Sequence, residues 1–238
     1  MAKILSKPKN ERTIAEMFDN IALNYDFLNA LLSLKQDHRW RKKLINEIPY
    51  CKNGNFLDIA TGTGDIVTQA YAAKKGYKTY CGIDISKNML QLAEKKANKK
   101  SQNIKFSLGS AENIPFEDNS VDCLTISFGL RNVINTEKAL QEFQRVLKPG
   151  AKLLILDFFS PPNRIVSKIF LFYFEKILPK IGGIFSKQDA YEYLPKSLTF
   201  FYSSKKLIES LEKLNFKKNK IQSFIFQTCI LKSFTLCE

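Results

Sequence analysis

The stretch Phe56-Leu57-Asp58-Ile59-Ala60-Thr61-Gly62-Thr63-Gly64-Asp65 leaves this chain few ways to fold. An apolar run carrying one acid passes through two glycines into Ile66-Val67-Thr68-Gln69-Ala70, which suits the start of a helix. Strand, tight turn and helix N-terminus in that order build the crevice of an open α/β sheet where nucleotide-like ligands sit. Glycine serves there because it accepts positive φ and lets a ligand approach the backbone. A dinucleotide fingerprint would place a third glycine three residues after Gly64, where Val67 stands. That argues against NAD or FAD. It leaves S-adenosylmethionine (SAM), whose adenosine wants the same crevice without a pyrophosphate to cradle, and it leaves a purely structural bend.

From residue 55 onward strands and helices alternate. Strands are expected at Asn55–Ala60, Tyr77–Ile83, Ile104–Leu108, Val121–Ser127 and Ala151–Phe158. Ser86 and either Asn135 or Thr136 supply helix caps, and Lys148-Pro149-Gly150 stops the helix before the fifth strand. Such alternation predicts an α/β fold: a Rossmann-like, doubly wound, mostly parallel sheet with right-handed crossovers. Ligand groups should then gather at the strand C-termini: Asp58 to Asp65, Asp84, Ser110 to Glu112, and Ser127 to Asn132. Asp84 follows Gly64 by 20 residues, about the distance at which an acid accepts hydrogen bonds from a ribose.

The flanks read differently. Residues 11 to 48 carry apolar residues at helical spacing, with Asn24 to Asn29 expected between two helices. Ile165 to Phe185 is apolar and aromatic but broken by Lys168, Glu175 and Lys176, short of the ~20 residues that span a bilayer. It fits a helix packed on the core, or a wall for a greasy substrate. After Gly182-Gly183 and Tyr191 to Ser197, Ser203 or Ser204 caps a helix. Strands at about Lys220–Phe226 and Thr228–Leu236 complete a terminal antiparallel hairpin. One domain is expected, with N-terminal helices (1–54), a cofactor core (55–160), a helical substrate-side insertion (161–202), and a last helix with two strands (203–238).

Five scattered cysteines with no Cys-x-x-Cys pair suggest neither disulfides nor zinc, hence a reducing cytoplasm. Met1 to Arg12 lacks the apolar core of a signal peptide. The net charge is +14, and only six of the 37 basic residues are Arg. Diffuse lysine charge fits a Lys-rich composition or an anionic membrane surface better than nucleic acid, for which the forked contacts of Arg are scarce.

The chain resembles the ubiquinone/menaquinone C-methyltransferases of the UbiE/MenG type along most of its length. Thr125-Ile126-Ser127-Phe128-Gly129-Leu130-Arg131-Asn132-Val133 is the most selective match. Arg145 to Gly150, Ser110 to Phe116, Tyr25-Asp26 with Asn29 and Ser33, and Tyr191 to Ser197 match as well. The only histidine, His38, is displaced by one from the family's early His, which falls at Asp37.

The resemblance implies SAM as cofactor, contacted by Thr63, Asp84, Ser110, Ala111 and Ser127. The residues themselves add Gly62 and Gly64 under the methionine portion, and Asp58 as a brace for the turn or a partner for the ligand's ammonium. The implied reaction is methylation of a ring carbon of a polyprenylated quinol, with no metal. Such a carbon becomes nucleophilic once a neighbouring hydroxyl loses its proton, so the site must stabilise a phenolate and exclude water. Arg131 is the candidate for the phenolate, with Asn132 and Tyr25 orienting the ring hydroxyls. An ion pair from Arg131 to a helix acid such as Glu137 is the structural alternative. A polyprenyl quinol substrate, peripheral membrane contact and no nucleic acid are the expected partners. A homo-oligomer is compatible with these features.

Overall fold

A computed structural model of the chain describes residues 10–161, 163, 165, 166, 168, 172 and 201–238. Among these residues seven strands form one sheet in the order β3-β2-β1-β4-β5-β7-β6. The strands are β1 (Asn55–Ile59), β2 (Thr79–Asp84), β3 (Lys105–Leu108), β4 (Val121–Ser127), β5 (Leu147–Phe158), β6 (Phe216–Phe224) and β7 (Cys229–Leu236). The first five run parallel, and β7 inserts antiparallel between β5 and β6. Helices α1 (Glu11–Leu32) and α2 (Gln36–Glu47) precede the sheet. Within it come α3 (Asp65–Ala72), α4 (Lys87–Lys99), α5 (Thr136–Val146) and α6 (Ser204–Lys213). The doubly wound sheet with its antiparallel C-terminal hairpin agrees with the reading of the sequence. The apolar segment Ile165 to Phe185, the Gly182-Gly183 break and Tyr191 to Ser197 lie almost wholly outside the described residues.

Both faces of the sheet are covered, so its central strands are apolar throughout rather than alternating. Leu57, Leu124, Leu153 and Ile155 pack with α5 and α6 on one face. Phe56, Cys123, Leu154 and Leu156 pack with Trp40 of α2 and with α3 on the other. Ser86, Asn135 and Ser203 cap α4, α5 and α6 through their side chains, each accepting a backbone N–H.

Several strand ends shift by one or two residues, Ile225 and Phe226 falling in the β6–β7 turn instead of the strand, and three boundaries differ more. Asn24 to Asn29 lies inside α1, a continuous 22-residue helix, instead of between two helices. β5 starts at Leu147 rather than Ala151: Pro149 and Gly150 make a bulge between the pairings Val121–Leu147 and Cys123–Lys152 instead of preventing the strand. β6 starts at Phe216 rather than near Lys220, because this edge strand faces solvent and its lysines hide the apolar alternation.

Lys232, in the middle of β7 opposite Ile155 and Ile221, is fully buried. Its Nζ lies 3.3 Å from the centroid of the Phe159 ring, and among the described residues it has no hydrogen-bond partner. Burial pushes its pKa down to about 7, with Asp157 opposing that shift. Because the folded pKa lies below the unfolded one, the unfolded chain binds more protons between about 7 and the ordinary lysine value. Lys232 therefore costs stability, fully at pH below 7 and less as pH rises. Lys232→Met should raise unfolding free energy at pH 7 by about 1–4 kcal/mol, the range for replacing buried ionic groups by apolar ones. The gain should shrink at pH 9.5 in chemical denaturation of both proteins. A pH-independent difference would contradict the assignment.

Candidate active site

Two backbone turns at the carboxyl ends of β1 and β4 open the site. Ala60 (φ +51°) follows β1 and Phe128 (φ +57°) follows β4, both in the left-handed region that side chains disfavour. The turns face each other so closely that a Cβ on Gly129 would lie 2.5 Å from that of Ala60. This bend turns Ser127 and Gly129 toward the same cleft as Gly62.

Asp84 closes β2 beside that cleft. Its Oδ2 accepts the N–H of Gly62 at 2.8 Å and its Oδ1 that of Ser86 at 2.9 Å. Burial pushes its pKa up, against those N–H donors and that of Ile85. Gly62 sits at φ +55°, and a Cβ there would occupy open space above the turn, 4.0 Å from Tyr25 Cε1. The cleft is completed by Ser110 and Ala111 after β3, by Ser127 and Asn132, and by Phe18 and Tyr25 of α1. Two buried polar atoms of its walls, Ser127 Oγ and Asn132 Oδ1, have no hydrogen-bond partner among the described residues. An acid at the β2 terminus, a turn without a Cβ and two unsatisfied oxygens fit an adenosine-bearing ligand that donates hydrogen bonds.

Two expected cofactor residues serve the turn from beneath. Asp58 is buried outside the cleft lining, and its carboxylate accepts the hydroxyls of Thr61 and Thr125, both at 2.6 Å. Burial raises its pKa to about 7 against those two bonds. It braces the turn. Thr63 likewise turns away: its hydroxyl donates to Asp26 Oδ1 at 2.7 Å and receives Lys96 Nζ at 3.1 Å. Gly64, at φ +76°, caps α3 with no room for a side chain, a Cβ there lying 3.0 Å from that of Ala93.

The surrounding charges were not legible in the sequence. Lys96 of α4 holds Asp26 of α1 at 3.0 Å and also pairs with Asp65, which Arg41 of α2 grips from the other side. Burial alone would raise the pKa of Asp65, but Arg41 and Lys96 outweigh it and hold it low. Asp19 of α1 accepts Ser86 Oγ at 2.5 Å and Asn88 N at 2.9 Å. These bonds tie α1 across the cleft at both ends, as a roof carrying Phe18 and Tyr25. Burial raises the pKa of Tyr25, opposed by the fields of Arg41 and Arg131.

Arg131 lies in a 3-10 turn, Leu130–Asn132, directly after the β4 bend. The alternative pairing with Glu137 is not among the ion pairs of the described residues; Glu137 accepts the Tyr202 hydroxyl at 2.9 Å. Instead Arg131 Nη1 meets Asp157 Oδ1 at 2.6 Å and the Phe128 carbonyl at 2.8 Å. Its guanidinium lies 5.6 Å from the Phe158 ring centroid and 6.0 Å from that of Phe128. The reason is burial: a charge this deep needs a counter-ion, and the end of β5 supplies one. Arg131 lines a second hollow with Phe201 and Tyr202, separated from the cleft by Val133 and Ile134, which border both. His38 is exposed, whereas Asp37 beside it is buried and accepts Ser33 Oγ at 2.8 Å.

This sheet order and cleft define the class I fold of the SAM-dependent methyltransferases. A SAM-dependent methyltransferase structure from Aquifex aeolicus shares it, with a TM-score of 0.59 at 20% identity over 82% of this chain and 89% of that one. The ubiE/COQ5 methyltransferase family matches residues 6–233, and the chain belongs to that family. It is 42% identical to the ubiquinone/menaquinone biosynthesis C-methyltransferase UbiE of Geotalea daltonii, over 87% of this chain and 89% of that protein. It is 40% identical to the demethylmenaquinone methyltransferase of Chlorobaculum parvum, over 97% and 95% of the two chains. The family, the fold and SAM as the cofactor are thus as the sequence implied. Among the described residues no helix is long and apolar enough to cross a membrane.

Proposed function

We propose that the chain methylates a ring carbon of a polyprenylated quinol, with demethylmenaquinol converted to menaquinol as the first candidate. The observation that carries this reading is one cleft holding both a ribose-type acid, Asp84, and a phenol-orienting pair, Tyr25 and the unsatisfied Asn132 Oδ1. Bound SAM supplies a methyl group on a sulfonium, an electrophile ready for a carbanion-like ring carbon.

The protein's own groups would do the rest. Asp84 accepts the ribose hydroxyls, Gly62 leaves room for the methionine portion, and Ser110, Ala111 and Ser127 line the adenosine side. Asp58, Thr63 and Gly64 hold the turn in shape. Tyr25 and Asn132 orient the ring hydroxyls, and α1 excludes water. Transfer of the proton of the hydroxyl beside the acceptor carbon to water would put negative charge on the ring. The ring carbon would gain a bond to the methyl group as the sulfonium S–C bond breaks with its electrons on sulfur, and would then lose its own proton to water, restoring aromaticity. Arg131 cannot take a proton, because its guanidinium presents N–H donors and no acceptor. Its part is to favour the phenolate by its positive field, tempered by Asp157. Contact with a membrane surface would deliver the prenylated substrate.

Labelled SAM with a panel of short-chain demethylquinols tests the reading, beside an RNA control. Label should enter the quinol ring, and Arg131→Lys should retain SAM affinity while turnover falls by about tenfold or more. Label entering only RNA, or nothing, would end the proposal.

A further inference from the structure

We propose that the edge of the molecule formed by the α1–α2 corner and the β6–β7 hairpin tip is a docking surface for a bilayer containing anionic lipid. The two features meet at the carboxyl side of the sheet, where the cleft opens. The hairpin joins Phe224 to Cys229, and Cys229 pairs with Phe158, the last residue of β5. Trp40 of α2 packs on both Phe158 and Phe224, while Glu47 further along α2 meets Lys220, at 2.6 Å. The start of α2, and the corner before it, therefore point toward the hairpin tip.

Both turns present large apolar side chains to water. Leu34 is 80% exposed at the corner, and Phe226 is 78% and Ile225 48% exposed at the tip. Both do so from strained backbone. Leu34 and Lys35 have φ of +51° and +61°, and Ile225, Phe226 and Gln227 have +40°, +51° and +66°. A free surface turn would favour Gly or Asn at such positions, and a β-branched Ile there is an outlier. Strained, exposed hydrophobes on two separate elements at one edge indicate a partner that takes them up.

Charge identifies that partner. Lys35, Arg39, Lys42 and Lys43 are exposed along the corner and α2. Asp37, the acid among them, is buried and bound to Ser33. Apolar tips beside lysines and an arginine that form no ion pair among the described residues suit an interface of acyl chains under anionic headgroups, to which the chain's charge of +14 adds a long-range attraction. Docking there would bring the cleft mouth to the layer that holds a prenylated quinol. The biological motive rests on the proposed substrate, while the surface itself rests on the geometry.

The test is flotation of the whole chain with phosphatidylcholine vesicles, with and without phosphatidylglycerol. The protein should bind the anionic vesicles, less so at high salt. Leu34→Asp with Phe226→Asp should weaken binding about tenfold or more, as should Lys35→Glu with Arg39→Glu. Both variants should keep the wild-type melting temperature and methylate a water-soluble short-chain demethylquinol at the wild-type rate. Vesicle binding that is absent in the wild type or unchanged in both variants would overturn the proposal. So would loss of RNA binding, or a change of oligomeric state, in place of the vesicle effect. Failure of the short-chain assay with vesicle binding intact would instead strike the quinol reading and leave the surface standing.

Discussion

Asp84→Ala should weaken SAM binding about a hundredfold or more, measured by calorimetry, with the protein still folded by circular dichroism. The carboxylate fixes Gly62 N and Ser86 N, and in the proposed function it also offers an acceptor to the ribose. Each hydrogen bond to a charged group contributes about 1.5–3 kcal/mol, so losing two on binding reaches the hundredfold range. Asp84→Asn keeps one acceptor oxygen at the same position and should fall between. Wild-type affinity in Asp84→Ala would remove Asp84 from the cofactor site. Equal loss in Asp58→Asn would mean that bracing of the turn, rather than contact, governs affinity.

The second large effect concerns stability. Asp157→Ala should lower the unfolding free energy by about 3–5 kcal/mol, the cost of breaking a buried ion pair by removing one partner. For a chain of this size that corresponds to a fall in melting temperature of roughly 6–20 °C. The carboxylate is fully buried, bonded to the guanidinium and backbone N–H of Arg131, and it also opposes the depressed pKa of Lys232. Its removal would take the anion from beside the buried Arg131 guanidinium and drive Lys232 still further toward its neutral form. Adding Lys232→Met to Asp157→Ala should therefore recover part of the loss, a positive coupling between neighbouring sites. Strict additivity in the double-mutant cycle would show that Lys232 does not sense Asp157. A loss below about 1 kcal/mol for Asp157→Ala would show that the pair is solvated.

Much of this architecture was written locally. Ser86, Asn135 and Ser203 are caps by type and position, and Met89, Leu90, Ala93 and Ala97 mark the buried face of α4 by spacing alone. Where the reading failed, distant contacts overruled local preference. Asn24, Asp26 and Asn29 look like helix breakers, but Asp26 is engaged by Thr63 and Lys96 from elsewhere in the fold, and α1 runs through. The site divides in the same way. Gly62, Asp84, Ser110, Ala111, Ser127 and Asn132 gather at one cleft as their positions at or after the strand ends imply, and Tyr25 joins them from α1. Whether Asp58 and Thr63 form wall or foundation depends on which way each side chain points, which strand position alone does not decide. The pairs Arg131–Asp157 and Arg41–Asp65 join residues 26 and 24 apart in the chain. No periodicity links them.

The insertion of β7 between β5 and β6 also dictates an order of assembly. β6 emerges from the ribosome before β7, yet it has no place in the sheet until β7 arrives, because its hydrogen-bonded neighbour is β7 alone. Until then the outer edge of β5 stands open, and an open edge invites pairing with other nascent chains. β7 pairs along Asp157 and carries Lys232, so its arrival should complete the burial of both. Chaperone capture should therefore concentrate on chains halted between these two strands.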